Sequence, residues 1–450
     1  MRSLTASLVF LTAVGLLAAG AAADAAWTAK VVARGGDISK KVSRLRGLKI
    51  KKPIAMGVMS EAELRERLLE KIDEDSSPAE RLAEAAMIKR WGVVPWDLDL
   101  DQLTVDLLTE QIAGFYDPAE KKLYVADKEE GGETWADMLM AHEIVHALQD
   151  QHFDLEPWMK EVDDDGDASA ARSALVEGDG VALMLEYTLA EQGLPPPWSN
   201  PAVIKMLTSA MDPGTGAGGD QLARAPLAIR EGLMFPYLHG LTFVAELRRT
   251  QPWKKIDEAF KRPPRSTEQI LHPELYLSDE KPHVIAAAVP AGFAQHHQQV
   301  WGEAGWAMFL MTHGIARAAA EKAAAGWGGD RVTLVAPLGD TGAMNAPMRT
   351  TGLAKISFDS ELDAIEAWQA LSHALDTMVT GAQVGGGVDH VRWLDATGRI
   401  TVAERKGAAI AIVTGSALPR WRALLDGVWQ WKVTGVPATV ATPASPALIP

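Results

Sequence analysis

The chain has 450 residues, 47% of them hydrophobic and 23% charged, which is the composition of a globular protein able to bury a sizeable core. Its formal net charge of −15 argues against nucleic acid or an anionic membrane as a partner, because both are bound through basic patches. The chain contains no cysteine, so disulfides, zinc fingers and thiol nucleophiles are excluded.

The N-terminus has the pattern of a secretory leader. Arg2 precedes an apolar run from Leu4 to about Leu17, and small residues with Ala-x-Ala sites follow near residue 23. The run is too short for a membrane span, so the pattern predicts a cleavable signal peptide over 1–23. No later stretch is long and apolar enough to cross a bilayer. We therefore expect a secreted or periplasmic protein without a transmembrane span.

The segment that follows, 24–285, is predicted to be a mainly helical domain with a small β-hairpin or sheet. Apolar periodicity favours helices, and two short apolar runs around Asp117-Pro118 favour a hairpin. The predicted elements are helices over 60–92, about 134–151 and 171–192, and hairpin strands over about 112–116 and 122–126.

The character of the sequence changes near residue 285. Alternating apolar runs and amphipathic stretches predict a smaller α+β module over 286–434, with an antiparallel sheet. The last residues, 435–450, have no pattern and are expected to form a disordered tail. The predicted fold class of the whole chain is therefore α+β.

The H-E-x-x-H sequence at 142–146 predicts a metal site on a helix. Positions i and i+4 share one helix face, so His142 and His146 can bind one ion through neutral imidazole nitrogens. Glu143 projects beside that ion, where it can take a proton from a water molecule and later protonate a leaving amine. This arrangement is typical of zinc hydrolases that cleave amide bonds.

The alternative is that the motif arose by chance, as it would in on the order of one per cent of chains of this length. The neighbouring residues disfavour that alternative, because they make the segment apolar and helical. Two histidines that served only as core residues would be costly in such a helix, since buried polar groups need partners. The preceding hairpin can supply an edge strand for an extended peptide.

Two residues compete to be the third protein ligand of a catalytic zinc shell. His152 follows His146 by six residues, as in the metzincin pattern, but that pattern needs a glycine to end the helix where this chain has Gln149. Glu177 lies in a second apolar helix, beside two glycines that permit close approach, and a buried carboxylate there needs a partner. We therefore prefer Glu177. The predicted ligands of one zinc ion per chain are His142, His146 and Glu177.

Several stretches together resemble a group of uncharacterised, secreted gluzincin-like proteins of bacteria and archaea. They are GFYDPAEKKLYV, HEIVHALQDQHFDL, LVEGDGVALM and PPRSTEQILHPELY, and GWGGDR with ISFDSELDAIEAW resembles the region that follows in the same group. The resemblance covers about 110–400 and implies a zincin-like fold with metallopeptidase activity. HEIVHALQD also resembles the active-site helix of thermolysin-type gluzincins, which have an Asp four residues after the ligand Glu. This chain has Val181 there, so Asp179 or Asp150 is expected to orient a ligand histidine instead.

A peptidase also needs a donor to the tetrahedral oxyanion, usually Tyr or His. The candidates are Tyr116, Tyr237, His239 and His272, and we rank His272 first. The predicted function is a zinc metallopeptidase acting on peptides or proteins, with Glu143 and His272 as catalytic residues. Two alternatives stay open: a zinc amidase acting on cell-wall peptides, and a catalytically silent zincin fold used as a surface-binding protein.

Overall fold

The computed structural model describes residues 11–13, 25–126, 132–211, 219–249 and 252–435. The predicted leader, 1–23, lies outside the described residues except for 11–13, and the predicted tail lies outside them except for residue 435. The predicted α+β class is confirmed: helices dominate the first part of the chain, and an antiparallel sheet dominates the second.

The helices of the first part begin and end as follows: α1 Ala25–Arg46, α2 Glu61–Asp75, α3 Pro78–Arg90, α4 Leu100–Gln111, α5 Gly132–Phe153, α6 Leu155–Lys160, α7 Gly166–Glu191, α8 Pro201–Ala210, α9 Gly219–Arg224, α10 Leu227–Arg248, α11 Lys254–Lys261, α12 Thr267–Leu271 and α13 Pro273–Leu277. The single helix predicted over 60–92 is two helices. Ser77 and Glu80 form a capping box and Pro78 takes the first helical position, so α3 starts afresh there.

The first part also contains a small sheet. Its strands are β1 Leu11–Ala13, β2 Ala55–Met59, β3 Ile112–Asp117 and β4 Lys122–Ala126, in the order β1-β3-β4-β2. β3 and β4 form the predicted antiparallel hairpin, with Phe115 opposite Tyr124. β2 pairs with β4 in parallel, and β1 pairs with the outer edge of β3.

Three helices, α5, α7 and α10, form the centre of the first part. α5 is buried on all sides over 139–150, with Ala141, Ile144 and Val145 completely buried, as expected of a helix enclosed by others. α7 is buried along most of its length and packs against both α5 and α10. α1 lies across α5 and α7 and also contacts β2.

The second part is built on an antiparallel sheet of seven strands in the described part of the chain, in the order β6-β7-β8-β12-β11-β10-β9. Its elements are β5 Val284–Ala286, β6 Phe293–Gln299, α14 Gly302–Thr312, α15 Arg317–Ala324, β7 Trp327–Pro337, β8 Thr351–Phe358, α16 Glu361–Met378, β9 Gly381–Gly386, β10 His390–Asp395, β11 Arg399–Lys406, β12 Ala409–Ala417, α17 Trp421–Trp429 and β13 Lys432–Thr434, with a 3₁₀ turn at Pro347–Arg349. Alternate residues of β8 face two different apolar clusters, one under α16 and one under α17.

The largest apolar cluster runs from the first part into the second. Trp91, at the end of α3, makes edge-to-face contacts with Trp306 and Phe309 of α14, with ring centroids 6.0 and 6.1 Å apart. The two parts therefore share a core, and the boundary predicted between residues 285 and 286 stays a prediction. No helix within the described ranges is long and apolar enough to cross a membrane.

Candidate metal centre

Helix α5 brings the two histidines of the motif together. His142 and His146 lie one turn apart with ring centroids 4.6 Å apart, and both side chains are completely buried. Their Nε2 atoms are 2.9 Å apart and point to the same place. The i, i+4 spacing on an uninterrupted helix is what makes this convergence possible.

Helix α7 supplies Glu177 as the third member of the group. Its Oε2 lies 3.1 Å from His142 Nε2 and 3.5 Å from His146 Nε2. A tetrahedral shell with metal–ligand distances of about 2.0–2.1 Å places its ligand atoms about 3.3 Å apart, close to the separations found here. His142, His146 and Glu177, the three predicted ligands, could therefore hold a metal ion.

His152, the rival third ligand, lies elsewhere. α5 continues to Phe153, so His152 is carried past the metal face, and its Nε2 lies 2.8 Å from the carbonyl oxygen of Lys49. The position that a metzincin gives to glycine is Gln149, which is helical and completely buried. The chain therefore makes no turn there that could return His152 to the group.

Burial and mutual attraction set the charges of the group. Burial lowers the pKa of His142, and Glu177 only partly opposes this effect. At His146 burial is the largest single influence and acts in the same direction, but the charge and hydrogen bond of Glu177, with smaller contributions from Glu143 and Gln149, together raise the pKa to about 9. Burial would raise the pKa of Glu177, but the charge of His146 and hydrogen bonds from both rings lower it. Glu177 is thus an anion held by two imidazoles.

Gln149 orients His146 from behind. Its Oε1 lies 2.9 Å from His146 Nδ1 and accepts the Nδ1–H, so Nε2 is the ring nitrogen that faces Glu177 and would bind a metal ion. Gln149 Nε2 donates in turn to Asp179 Oδ2 at 2.8 Å and to the Val176 carbonyl at 3.1 Å. Asp179, which we expected to orient a histidine, does so through this amide. Asp150 instead accepts from Tyr116 and Lys121.

Two glycines of α7 make the close approach possible. A Cβ at Gly180 would lie 2.7 Å from His142 Cε1, so only a glycine leaves room for the ring. A Cβ at Gly178 would overlap the backbone of Gly240 on α10. The glycines noted in the sequence therefore bring α7 against both the ligand ring of α5 and the neighbouring helix α10.

Glu143 lies beside the group, between α5 and the hairpin. It is 2% exposed, and neither carboxylate oxygen has a hydrogen bond of normal geometry. Burial raises its pKa well above the usual range, partly opposed by the charge of His146. A Cβ at Gly114 of β3 would lie 3.8 Å from Glu143 Cγ, so this strand passes directly beside the side chain.

The structure does not bring His272, ranked first as oxyanion donor, to the metal-binding group. Its Nε2 lies 2.9 Å from Glu303 Oε1, and this hydrogen bond is the main cause that raises its pKa. The position of His272 at the end of α12, in contact with α14, explains the difference. These contacts give no support to the predicted catalytic role of His272.

Among the other candidates, Tyr237 of α10 is the one next to the group. Its ring stacks on His142 with centroids 6.5 Å apart. Burial raises the pKa of Tyr237 well above its usual range, and the charges of Glu177 and Glu143 act in the same direction. Tyr116 donates its hydroxyl to Asp150, and His239 stacks on Phe235. The only signal for Tyr237 in the sequence was its residue type.

A cleft of about 300 Å³ opens on the same side of α5 as Glu143. Ala147, one helical turn after Glu143, is part of its wall, together with Tyr116 and Asp150. Lys51 and Lys52 lie at the same cleft. The cleft therefore reaches the helix face next to Glu143, although His142, Glu143, His146 and Glu177 are themselves buried.

Comparison with known proteins assigns no chemistry to this site. A family model described as a domain of unknown function (DUF8575) matches residues 290–424, which span most of the sheet in the second part of the chain. The match contains none of the residues of the metal-binding group. Comparison with curated proteins and with solved structures gives no match.

Proposed function

We propose that this protein is a secreted or periplasmic zinc metallopeptidase of gluzincin type. The observation that carries the proposal is the convergence of His142 Nε2, His146 Nε2 and Glu177 Oε2 within 3.5 Å of one another, with Glu143 buried beside them. A leader over 1–23 would export the chain.

The donor set fits zinc. Two imidazole nitrogens and one carboxylate oxygen are a common catalytic zinc shell, which leaves one position for water or substrate. Glu177 Oε1 is buried without a hydrogen-bond partner, as expected of a carboxylate oxygen that would lie against a metal ion. Calcium and magnesium prefer shells made of oxygen and fit this set poorly.

The protein groups around the ion have separate roles in peptide hydrolysis. When bound, zinc supplies Lewis-acid activation of water and of the scissile carbonyl. Glu143 would take the proton of the attacking water and hand it to the leaving amine, for which its position beside the two ligand histidines suits it. Tyr237 donates its hydroxyl to the oxyanion of the tetrahedral intermediate, replacing His272 in that role.

The hairpin and the cleft support a peptide as substrate. β3 lies beside Glu143, and its outer edge accepts β1, which falls within the predicted leader. Removal of a leader would free that edge for an extended peptide, which could pair with β3 through main-chain hydrogen bonds. The cleft beside Ala147 provides room for side chains next to the same helix face.

The test measures zinc and proteolysis on the same variants. We expect close to one zinc per chain and cleavage of casein by the wild-type protein. Glu177→Ala should lose the zinc, His152→Ala should keep both zinc and activity, and Glu143→Gln should keep the zinc but lose cleavage by at least about 100-fold. A Glu143→Gln variant that still cleaves casein as the wild type does would contradict the proposal.

The enclosure of the site supports a second candidate, a catalytically silent protein with a structural metal ion. His142, His146 and Glu177 are completely buried and Glu143 is 2% exposed, whereas a peptidase must admit a peptide. This candidate predicts zinc binding without cleavage of casein or of cell-wall peptides, and a zinc affinity unaffected by Glu143→Gln. Cleavage of cell-wall peptides alone would identify the amidase alternative.

A further inference from the structure

Arg46, the last residue of α1, is a buried cation at the rear of the metal centre. Its side chain is completely buried, and its guanidinium lies over the Trp253 ring, 4.8 Å from the centroid. Nε donates to Asp179 Oδ1 and Nη1 donates to Asp257 Oδ1, each at 2.7 Å. Burial would lower the pKa of Arg46, but these two carboxylates outweigh it, so the group stays charged.

A continuous chain of hydrogen bonds joins Arg46 to a metal ligand. Asp179 binds Arg46 through Oδ1 and Gln149 through Oδ2, and Gln149 binds His146 Nδ1 through its Oε1. We call Arg46, Asp179, Gln149 and His146 the relay. All four side chains are completely buried, so water cannot replace any of these bonds without rearrangement of the core.

The charge on Arg46, together with the Val176 carbonyl that accepts from Gln149 Nε2, determines the direction of each bond in the relay. A carboxylate that accepts from arginine is held as an anion, and an anion can only accept from the amide of Gln149. The amide nitrogen of Gln149 must then face Asp179, which leaves its oxygen for the Nδ1–H of His146. This selects the tautomer in which His146 Nε2 is free to bind a metal ion.

We propose that Arg46 is a positioning residue of the metal centre, and that α1 is a permanent part of this centre. Without Arg46, Asp179 would be a buried carboxylate without a cationic partner, and the Val176 carbonyl would be the main group left to orient the Gln149 amide. A segment just after a predicted leader is a candidate for removal as a pro-segment. Here its removal would take away the cation that orients His146. The inference rests on the proposed function only in that the group binds a metal ion.

The experiment measures zinc affinity by competition with a chromogenic chelator, on the full chain and without any substrate. Arg46→Met should weaken zinc binding about 10- to 100-fold, the usual effect of losing an outer partner of a ligand histidine. Ile38→Ala is the matched control: Ile38 is buried on the same helix, so its loss weakens packing but leaves the relay intact. Its zinc affinity should equal that of the wild type.

Arg46→Lys provides a second variant that keeps the charge. A lysine is too short and has the wrong shape to span both carboxylates, so an affinity between those of Arg46→Met and the wild type is expected. Folding of each variant is checked by circular dichroism. If Arg46→Met does not fold, the comparison of Arg46→Lys with Ile38→Ala decides, and a lower affinity in the lysine variant alone supports the proposal.

Equal zinc affinities in the arginine variants and in Ile38→Ala would overturn the inference but would not contradict the proposed metal site. Absence of zinc from the wild-type protein would instead overturn the proposed function. The position of the mature N-terminus gives an independent check, by mass spectrometry of the exported protein. The inference expects it to lie before residue 46, and a mature, zinc-loaded chain that starts after residue 46 would contradict it.

Discussion

At the scale of single residues, the electrostatic surroundings of Glu143 and Tyr237 differ from those of the three metal-binding residues. The group members stabilise one another, since Glu177 is an anion between two imidazoles. Glu143 instead has a carboxylate without hydrogen bonds of normal geometry, and burial raises its pKa. A buried carboxylate without a hydrogen-bond partner beside the metal-binding group is placed as a proton-transfer residue requires.

Replacement of Tyr237 by Phe tests the role of its hydroxyl. The substitution keeps the ring that stacks on His142 and removes only the donor. If the hydroxyl stabilises the oxyanion, kcat on casein-derived peptides should fall about 100- to 1,000-fold while KM and zinc content change little. His272→Gln serves as the control, because His272 binds Glu303 rather than the metal group, and it should leave kcat within about twofold. The reverse result would restore His272 as the donor.

At the scale of helices, the site depends on small residues where α7 crosses its neighbours. Gly180 admits the His142 ring, and Gly178 allows the backbones of α7 and α10 to meet at Gly240. Glycine in a helix interior costs roughly 0.5–1 kcal/mol relative to alanine, so its presence at both positions reflects the need for space. The two glycines thereby hold α7 and α5 at a distance that one histidine and one glutamate side chain can span.

Gly178→Ala tests the crossing of α7 with α10. A methyl group at this position would overlap the Gly240 backbone, which cannot move aside as a flexible side chain does. We expect the free energy of unfolding in urea to fall by about 1–3 kcal/mol. Gly36→Ala on α1 is the matched control, since a Cβ there meets nothing within 4 Å and should be neutral or slightly stabilising. Equal stability of the two variants would show that α7 has room to shift.

At the scale of the whole molecule, a cluster of buried acids lies where the two parts of the chain meet. Asp167, in the first turn of α7, accepts from the backbone and hydroxyl of Thr267. Glu268 follows on α12, and Glu303 on α14 binds His272. Burial raises the pKa of Glu268 to about 10, and the charges of nearby acids including Glu303 add to this. The junction therefore holds a carboxyl group that keeps its proton at neutral pH.

Glu268→Gln should reveal this proton as a dependence of stability on pH. The folded-state pKa lies above the ordinary value of 4.5, so folding is favoured below about pH 4.5 and this contribution is lost as pH rises towards 10. The amide mimics the protonated acid at every pH. The variant should therefore melt about 1–3 °C above the wild type near pH 8.5, with the difference vanishing near pH 4.

Glu274→Gln gives the comparison for that experiment, because its side chain is 75% exposed on the neighbouring turn. It should follow the melting temperature of the wild type across the whole pH range. A Glu268→Gln variant that melts below the wild type at pH 8.5 would mean that the carboxyl is ionised there and paired in the folded protein.

Much of the fold could be predicted from local patterns, and the exceptions have physical causes. The hairpin and the helices α5 and α7 were predicted because their apolar spacing is local, whereas α1 was not predicted. The antiparallel sheet of the second part was predicted, but two of its strands have no strand pattern: β6 reads FAQHHQQ and is polar, and β9 reads GAQVGG, with few branched or aromatic residues. Both lie at the edges of the sheet, where one neighbouring strand is enough to order the backbone.

The sequence by itself determined the part of the site that depends on spacing along one helix. His142 and His146 share a face and Glu143 lies beside it, whatever the rest of the chain does. The choice of Glu177 over His152 also followed from the sequence, because no glycine ends the helix at Gln149. Only the tertiary structure placed Tyr237 on the His142 ring, moved His272 away, and connected Gln149 to Arg46 through Asp179. Those contacts join residues far apart in the chain, and their geometry depends on how helices cross, which no local pattern encodes.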